Sequence, residues 1–281
     1  MSVGAIAGLD RVRLPAAVSP LVAAELAGPP RHRRVLAAFP SCLYVELGAH
    51  ERVLGVLTSD AEPLPIGVRL AVPSSDVQWG VEPGGHVVVG EGRVRLPQAD
   101  VVAVRPLPPG RVQPVRSCIS AVSLPAPGAL GALARDLTAA ALAAESVEAG
   151  VRGLVGAGRG LTPSGDDVLC GVLLTLSAVE SPEARRALAA VRTVVRSALL
   201  RTTSLSAALL VAAGDGYAVP DVARLVTLLA GAGCAAPERG LVERVLAIGH
   251  TSGRDLLAGV SGALRALRHH ASTTQEGVRR A

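Results

Sequence analysis

The sequence predicts an α+β protein in which a small antiparallel β domain, sheet-like or barrel-like, precedes a compact all-helical domain. Short strand-like runs separated by Gly and Pro turns occupy residues 41–107. Prolines then crowd together over 106–127, where neither a continuous helix nor a central strand fits. Beyond Gly128 the apolar residues follow the period of helices. The two halves therefore belong to different structural classes.

These changes of pattern also set the expected domain boundaries. The prolines predict a fairly stiff linker, and the polar C-terminal residues predict a frayed end. We expect a mainly β domain at 1–110, a Pro-rich linker at 111–128, a helical domain at 129–270 and a frayed tail at 271–281.

The β domain is expected to contain two hairpins and two further strands. Alternating apolar residues flank a Gly-Ala-His turn and, further along, a Gly-Glu-Gly turn. The predicted strands are Ser41–Leu47, Glu51–Thr58, Gly67–Val72, His86–Val89, Arg93–Leu96 and Val101–Leu107. Before them, Val18–Leu26 predicts a short amphipathic helix that ends at Gly28. We interpret Arg31–Arg34 as a surface turn and His50 as a surface residue.

The C-terminal half predicts seven helices whose breaks fall at glycines or prolines. Their apolar faces are built from Leu, Val and Ala, which allow helices to pack closely. The predicted helices are Ala129–Ala149, Asp166–Val179, Pro182–Leu200, Ser204–Ala213, Asp221–Ala232, Glu238–Ile248 and Arg254–His270.

The most distinctive stretch is the Gly-rich segment 156–167, which enters one of these helices. It reads Gly-Ala-Gly-Arg-Gly-Leu-Thr-Pro-Ser-Gly-Asp-Asp and precedes an apolar run. A flexible loop before a helix N-terminus presents free backbone amides and the positive end of the helix dipole. Such a loop is suited to binding an anion.

Part of this segment is repeated near the C-terminus. The string Ser-Gly-x-Asp-x-Leu-x-Gly-Val occurs at 164–172 and again at 252–260, and each copy has a Thr just upstream. Two copies of so specific a string suggest two loop-to-helix elements that converge on one pocket from opposite sides.

Helix capping is the simpler interpretation of the same residues. Ser164 with Asp167, and Ser252 with Asp255, each fit the capping box, in which Ser and the acidic residue satisfy each other's backbone amides. Capping does not explain a Gly in the first helical turn of both copies, where Gly costs roughly 0.5–1 kcal/mol relative to Ala. Both interpretations stay open at this point.

A third polar cluster, Arg201–Ser206, lies at a helix junction. Its hydroxyls are typical N-cap residues for the apolar run that follows. Alternatively, Arg201 and these hydroxyls complete an anion site, because the Arg fork bonds a carboxylate or phosphate through two donors.

Together these motifs resemble the AllH family. The resemblance rests on Gly-x-Gly-x-Gly-Leu-Thr-Pro-Ser-Gly-Asp-Asp at 156–167, Arg-Thr-Thr-x-Leu-Ser at 201–206 and Gly-His-Thr-Ser-Gly-x-Asp-x-Leu-x-Gly at 249–259. Ala157 and Arg159 depart from the family pattern, in which Leu and Pro are expected. The resemblance implies a subunit of oxamate carbamoyltransferase in allantoin (purine nitrogen) catabolism, with partner subunits of AllF and AllG type. It also implies carbamoyl phosphate, oxamate and oxalurate as ligands.

We expect the three motifs to line one pocket for a small anionic substrate. The candidate catalytic residues are His250 as a general base, and Asp167 and Asp255 as groups that orient the loops or accept N–H bonds. No cofactor is expected, although Mg²⁺ at Asp166, Asp167 and Asp255 stays open. The candidate substrate-binding residues are Gly158, Arg159, Gly160, Thr162, Ser164, Gly165, Asp166, Arg201, Thr202, Thr203, Ser206, Thr251, Ser252 and Gly253.

Two other function classes remain to be weighed. A non-catalytic assembly or regulatory subunit would use the motifs as a partner interface or an effector site. A nucleotide-binding ATPase is disfavoured because the Gly-rich loop lacks the Lys of a P-loop, and the chain contains no Lys at all.

Composition narrows the setting. The longest apolar run, Val168–Val179, is shorter than the ~20 residues that span a bilayer, so we expect no membrane span despite a mean hydropathy of +0.43. With one Phe, one Trp and two Tyr, the chain lacks the aromatic platforms of single-strand nucleic-acid binders. The four scattered cysteines form no zinc-type spacing, and no signal peptide is evident. We therefore expect a cytoplasmic protein with reduced thiols and no structural metal.

Overall fold

The computed structural model describes residues 11–116, 128–231 and 239–280. Their contacts divide the chain into two compact units. The barrel unit consists of the N-terminal residues up to Ala49 together with Val53–Pro108. The helical unit consists of His50–Arg52 together with the chain from Pro109 onward.

The barrel unit is a closed eight-stranded barrel. Around the barrel the strands follow the order β1-β5-β4-β3-β2-β6-β7-β8, with β1 parallel to β8, β4 parallel to β5 and the other neighbours antiparallel. Closure removes exposed sheet edges. The strands are β1 Val12–Val18, β2 Arg31–Phe39, β3 Cys42–Glu46, β4 Val53–Leu57, β5 Gly67–Leu70, β6 His86–Gly90, β7 Arg93–Arg95 and β8 Ala99–Pro106.

Alternation along the strands builds the barrel core. Side chains on the inner face are fully buried, as at Val35, Val45 and Val94, whereas the residues on either side of each are more exposed; β4 is buried throughout. This is the period-two pattern of a half-buried strand. Trp79 is also buried, and its indole N–H donates to the Phe39 carbonyl at 2.7 Å.

Both predicted hairpins are confirmed. Strands β3 and β4 pair antiparallel from Cys42 opposite Leu57 to Glu46 opposite Val53, and β6 pairs with β7 across the Gly-Glu-Gly turn. Two strands of the barrel were not predicted. Pro15 interrupts the alternation that β1 begins, and β2 begins with the polar run Arg31–Arg34. The interpretation of Arg31–Arg34 as a turn is wrong, because these residues pair with β6.

A short helix, α1 at Ala23–Ala27, follows β1, close to the amphipathic helix predicted there. The helical unit contains α2 Gly128–Leu142, α3 Glu148–Leu154, α4 Ser164–Ala178, α5 Pro182–Ala198, α6 Ser204–Gly214, α7 Pro220–Ala230, α8 Arg239–Leu246 and α9 Ser252–Arg280. A 3₁₀ turn at Leu199–Arg201 connects α5 to α6.

Two helix starts show the expected capping chemistry. The Ser181 hydroxyl accepts from the Ala184 amide at 3.0 Å, with Pro182 at the first helical position of α5. The Thr203 hydroxyl accepts from the Ser206 amide at 3.1 Å at the start of α6. Hydroxyl capping within the Arg201–Ser206 cluster is therefore confirmed at Thr203.

The broad prediction of a β region followed by a helical region is confirmed, but the second unit is not all-helical. Strand β9, Gly110–Arg111, pairs with β10, Tyr217–Ala218, and Val115 forms a parallel bridge with Val179. The first part of the predicted linker is thus hydrogen-bonded within the helical unit, while 117–127 lie outside the described residues.

Two helix boundaries also differ from prediction. The predicted helix 129–149 is two helices, because the chain turns between them at Ala144, whose φ is +59°. Helix α9 continues past its predicted end at His270 to Arg280, through residues expected to be a frayed tail. Among the described residues, no helix combines the length and apolar character that crossing a membrane requires.

Candidate functional site

The Gly-rich loop before α4 packs closely on the 3₁₀ turn that precedes α6. Gly156 has a φ of +74°, and a Cβ placed there would lie 2.3 Å from the Arg201 carbonyl oxygen. Such a distance is impossible for a real side chain, so Gly156 must be glycine for the loop to reach the 3₁₀ turn. The first and third sequence motifs are therefore neighbours.

The start of α4 does not form the predicted capping box. The N-cap residue is Pro163, with no side-chain cap bond there, and Ser164 is already the first helical residue. The Gly165 amide donates to the Ala157 carbonyl at 2.8 Å, and the Asp166 and Asp167 amides donate to the Pro163 carbonyl at 2.9 and 3.2 Å. These amides are occupied within the backbone, so they do not form the open anion cradle that the loop predicted.

The second copy is built in the same way. Helix α9 begins at Ser252, the Gly253 amide donates to the Ile248 carbonyl, and the Asp255 amide donates to the Thr251 carbonyl, each at 3.0 Å. Asp255 thus holds the same place in its helix as Asp167, one turn after the capping residue. The capping box is not formed here either, because the first helical residue is Ser252 itself.

The first glycine of each copy allows its helix to start against the end of the preceding helix. A Cβ at Gly165 would lie 2.1 Å from the Leu154 carbonyl oxygen of α3, and a Cβ at Gly253 would lie 1.9 Å from the Val245 carbonyl oxygen of α8. Close packing therefore explains why glycine occurs in the first helical turn of both copies, which capping did not explain.

The second glycine of each copy brings α4 and α9 together. A Cβ at Gly171 on α4 would lie 2.2 Å from the Leu256 carbonyl oxygen on α9, and a Cβ at Gly259 on α9 would lie 2.1 Å from the Val168 carbonyl oxygen on α4. The contacts are reciprocal, so the repeated motif forms a pseudo-symmetric crossing of two helices at backbone contact.

This crossing brings the polar residues of both copies to one place. The Thr162 and Ser252 hydroxyl oxygens are 3.0 Å apart, and the Ser252 hydroxyl also hydrogen-bonds the Asp167 carboxyl. The Asp255 carboxyl is close enough to raise the pKa of Asp167 electrostatically. The two loops thus meet within the helical unit, at the paired helix starts.

The comparisons with known proteins bear on this same segment. A family model described as oxamate carbamoyltransferase subunit AllH matches residues 154–264, less than half of the chain. Residues 154–264 match the AllH family. The family resemblance inferred from the three motifs is thereby confirmed. The chain has no match among the curated proteins or among the solved structures that were compared.

Within the AllH-matched segment, Asp166 is committed to holding the loops. Its side chain is 1% exposed. One oxygen accepts from the Gly156 amide at 2.9 Å, the other accepts from the Thr202 hydroxyl, and the Ser206 hydroxyl also bonds the carboxyl. Burial raises the pKa of Asp166, and these hydrogen bonds oppose the rise. With both oxygens engaged, Asp166 serves as a clamp between the loop and the 3₁₀ turn.

Replacing Thr202 with Val is expected to lower the stability of the protein by about 1–2 kcal/mol, because a buried Asp166 oxygen loses its donor while the side-chain shape is kept. Chemical denaturation measures this change. Thr193→Val is the matched control, since Thr193 bonds a carbonyl of its own helix at an exposed position. Equal stability of the two variants would show that the Asp166 clamp contributes nothing.

Asp167 and Asp255 differ from Asp166 because each has an unsatisfied oxygen. The Oδ2 atoms of both carboxyls are buried without a hydrogen-bond partner in the described structure, and Asp167 is 8% exposed overall. Burial raises the pKa of Asp167 to about 7; the Ser252 bond opposes the rise, and the nearby Asp255 and Asp166 add to it. Asp167 is therefore half-ionised near neutral pH.

The described residues include no group of three His, Cys, Asp or Glu side chains placed to hold a metal ion. For the Mg²⁺ site that the sequence left open at Asp166, Asp167 and Asp255, both Asp166 oxygens already accept hydrogen bonds from the loop and the 3₁₀ turn.

Most of the remaining predicted site residues lie within the AllH-matched segment but are exposed to solvent. Gly158, Arg159 and Gly160 are exposed on the loop, and His250 and Thr251 are exposed just before α9. Arg201 is exposed too, and it reaches the Arg152 carbonyl at 3.5 Å. No hydrogen bond in the described structure links His250 to Asp167 or Asp255, so its general-base role stays a prediction.

Sequence reasoning missed His50. This half-buried residue places Nε2 3.0 Å from the Thr202 carbonyl and Nδ1 3.2 Å from the Ser204 hydroxyl. A carbonyl only accepts, so Nε2 carries a proton and donates it to Thr202, while Nδ1 hydrogen-bonds the Ser204 hydroxyl. Its partners lie more than 150 positions away in sequence, so no local pattern could have identified the contact. The interpretation of His50 as a simple surface residue is wrong.

Proposed function

We propose that this chain is a subunit of an oxamate carbamoyltransferase and that its paired motif helices hold a small carbamoyl-bearing ligand. The observation that supports the proposal most is the meeting of Thr162, Ser252 and Asp167 across the two motif copies, within the segment that matches the AllH family. The ligands that the family implies are carbamoyl phosphate, oxamate and oxalurate, in allantoin catabolism.

All three ligands combine a carbamoyl or amide group with an anionic end. In our proposal the polar cluster at Asp167 and Asp255 takes the uncharged end. The anionic end lies toward solvent, with Arg159 or Arg201 supplying positive charge from exposed positions on the adjoining loop and 3₁₀ turn. The occupied amides at the start of α4 support this arrangement over an anion held by the helix N-terminus.

A subunit acts together with other chains, and we propose partners of AllF and AllG type. The decisive experiment reconstitutes oxamate carbamoyltransferase activity from these partners with and without this chain, following phosphate release from carbamoyl phosphate and oxamate. Activity that requires the chain supports the proposal. Full activity from the partners alone, or no activity with all components present and assembled, contradicts it.

An assembly subunit without chemistry of its own is the second candidate function. The packing of Gly165, Gly171, Gly253 and Gly259 favours it, because close helix contact explains these motif residues without a ligand. The same reconstitution separates the candidates when Asp255→Asn is included. An assembly subunit with this change forms the complex and supports full activity. A ligand-binding subunit with this change forms the complex but loses activity.

A further inference from the structure

We infer that Asp167 and Asp255 form a paired acceptor for the N–H groups of a primary amide or carbamoyl NH₂. The inference rests on the proposed function, since it names the group that the same site recognises. It differs from the expectation of an anion site, because here the two motif helices, α4 and α9, bind the NH₂ end of the ligand and not its anionic end.

The first support is the pair of unsatisfied oxygens. Oδ2 of Asp167 and Oδ2 of Asp255 are buried without a hydrogen-bond partner among the described residues, and Asp167 is more than nine-tenths buried. A buried carboxylate oxygen without a donor costs free energy comparable to a lost hydrogen bond. The two oxygens come from equivalent positions in the two motif copies, and in our inference one NH₂ group supplies a donor to each.

The second support is the direction of the neighbouring hydrogen bonds. The Ser252 hydroxyl has one hydrogen, and an ionised Asp167 can only accept it. The Thr162 hydroxyl must then donate to the Ser252 oxygen across the 3.0 Å contact. The chain of donors runs from Thr162 through Ser252 to Asp167 and ends there. What remains for a ligand at ionised Asp167 is acceptor capacity, which an N–H group satisfies.

The third support is the charge of the cluster. Asp166, Asp167 and Asp255 place three carboxyls close together, and the Gly165, Asp166 and Asp167 amides are already bonded to backbone carbonyls. A carboxylate or phosphate next to Asp167 would meet like charge in a buried setting. A primary amide brings two N–H donors and no net charge.

The test compares oxamate with pyruvate, which has the same carboxylate and carbonyl but a methyl group in place of NH₂. Calorimetry on the full chain at pH 8 is expected to show oxamate binding about tenfold more tightly than pyruvate, the gain typical of hydrogen bonds to a charged acceptor. In Asp167→Asn and in Asp255→Asn the preference is expected to fall to within about threefold. Asp136→Asn, an exposed carboxyl of α2, is the matched control and keeps the wild-type preference.

The same titration at different pH adds an independent readout. Oxamate affinity is expected to rise from pH 6 to pH 8, because the ionised form of Asp167 is the better acceptor and burial raises its pKa to about 7. The titratable groups around it are Asp166 and Cys170 on α4 and Asp255 on α9. Recognition of the carboxylate end would give the opposite slope.

Three results overturn the inference. Equal affinity for oxamate and pyruvate in the wild type assigns recognition to the shared anionic end. Oxamate binding that disappears with EDTA and returns with Mg²⁺ assigns the carboxyls to a cation. No binding of oxamate at millimolar concentration removes the paired acceptor. If reconstituted activity still requires the chain in any of these cases, the proposed function stands while this inference fails.

Discussion

Replacing Gly171 with Ala is expected to destabilise the protein by about 3 kcal/mol or more, a larger loss than most single substitutions cause. The new Cβ would lie 2.2 Å from the Leu256 carbonyl oxygen and 2.8 Å from the Val260 amide nitrogen. Both atoms belong to the backbone of α9, so relief requires the two helices to move apart along the crossing. Overpacking against backbone is costly because no side chain can rotate away.

Gly153→Ala provides the matched control. Gly153 lies within α3, has no positive φ, and a Cβ placed there meets no described atom within 4 Å. Since Ala is a better helix former than Gly, this variant is expected to gain about 0.5–1 kcal/mol. Thermal and urea denaturation of both variants measure the difference. If Gly171→Ala is as stable as Gly153→Ala, the α4–α9 contact is not as close as the structure describes.

The Gly171 variant also tests whether the crossing assembles the site. Movement of α9 away from α4 would separate Thr162 from Ser252, whose hydroxyls are 3.0 Å apart. Residual folded Gly171→Ala protein is therefore expected to lose the preference for oxamate over pyruvate, while Gly153→Ala keeps it.

Asp167→Asn is expected to become more stable than the wild type as the pH rises. The difference in the free energy of unfolding between variant and wild type is expected to be roughly 2–4 kcal/mol larger at pH 8 than at pH 4. In the folded protein the pKa of Asp167 is raised to about 7, mainly by burial, from an ordinary value of 3.8. In the wild type, the raised pKa of Asp167 stabilises the folded state, and this stabilisation is complete below pH 4. The contribution is lost as the pH rises to 7, because the unfolded chain releases its proton first. Asn stays neutral throughout and avoids the loss.

The measurement is the difference in melting temperature between variant and wild type at several pH values from 4 to 8. Taking the difference cancels the titration of shared groups that do not interact with Asp167. Asp136→Asn is again the control, because its side chain is 65% exposed. A flat profile for Asp167→Asn would mean that the Asp167 carboxyl is hydrated in the folded protein.

The two Asp167 predictions together describe a site in which the carboxyl that binds the ligand also lowers the stability of the unliganded protein. An ionised carboxyl with a buried free oxygen lowers the stability of the apo protein, and a donor that satisfies this oxygen would restore it. Ligand binding and the Asp167→Asn change should therefore raise the melting temperature for related reasons, and their effects should not add.

Local pattern was sufficient for two hairpins, but it missed β2, which pairs with the next strand, β3, and begins with Arg31–Arg34. The hairpins β3–β4 and β6–β7 were predictable because alternation and a Gly turn specify both strands. β1 was not predictable, because its partners β5 and β8 lie far along the chain. Ser164 shows the same limit at finer scale. Its Ser-x-x-Asp spacing suits a cap, but Pro163 before it takes the N-cap position.

By itself the sequence determined the order of the β and helical regions, the repeated Ser-Gly-x-Asp string and the resemblance to the AllH family. Periodicity, turns and motifs are local properties, so they can be read without coordinates. Tertiary structure alone decided that Ser252 meets Thr162 and Asp167 and that both Asp166 oxygens are hydrogen-bonded. It also decided that His50 contacts the Arg201–Ser206 cluster. These contacts join residues far apart in the chain, and their geometry depends on how closely the helices pack.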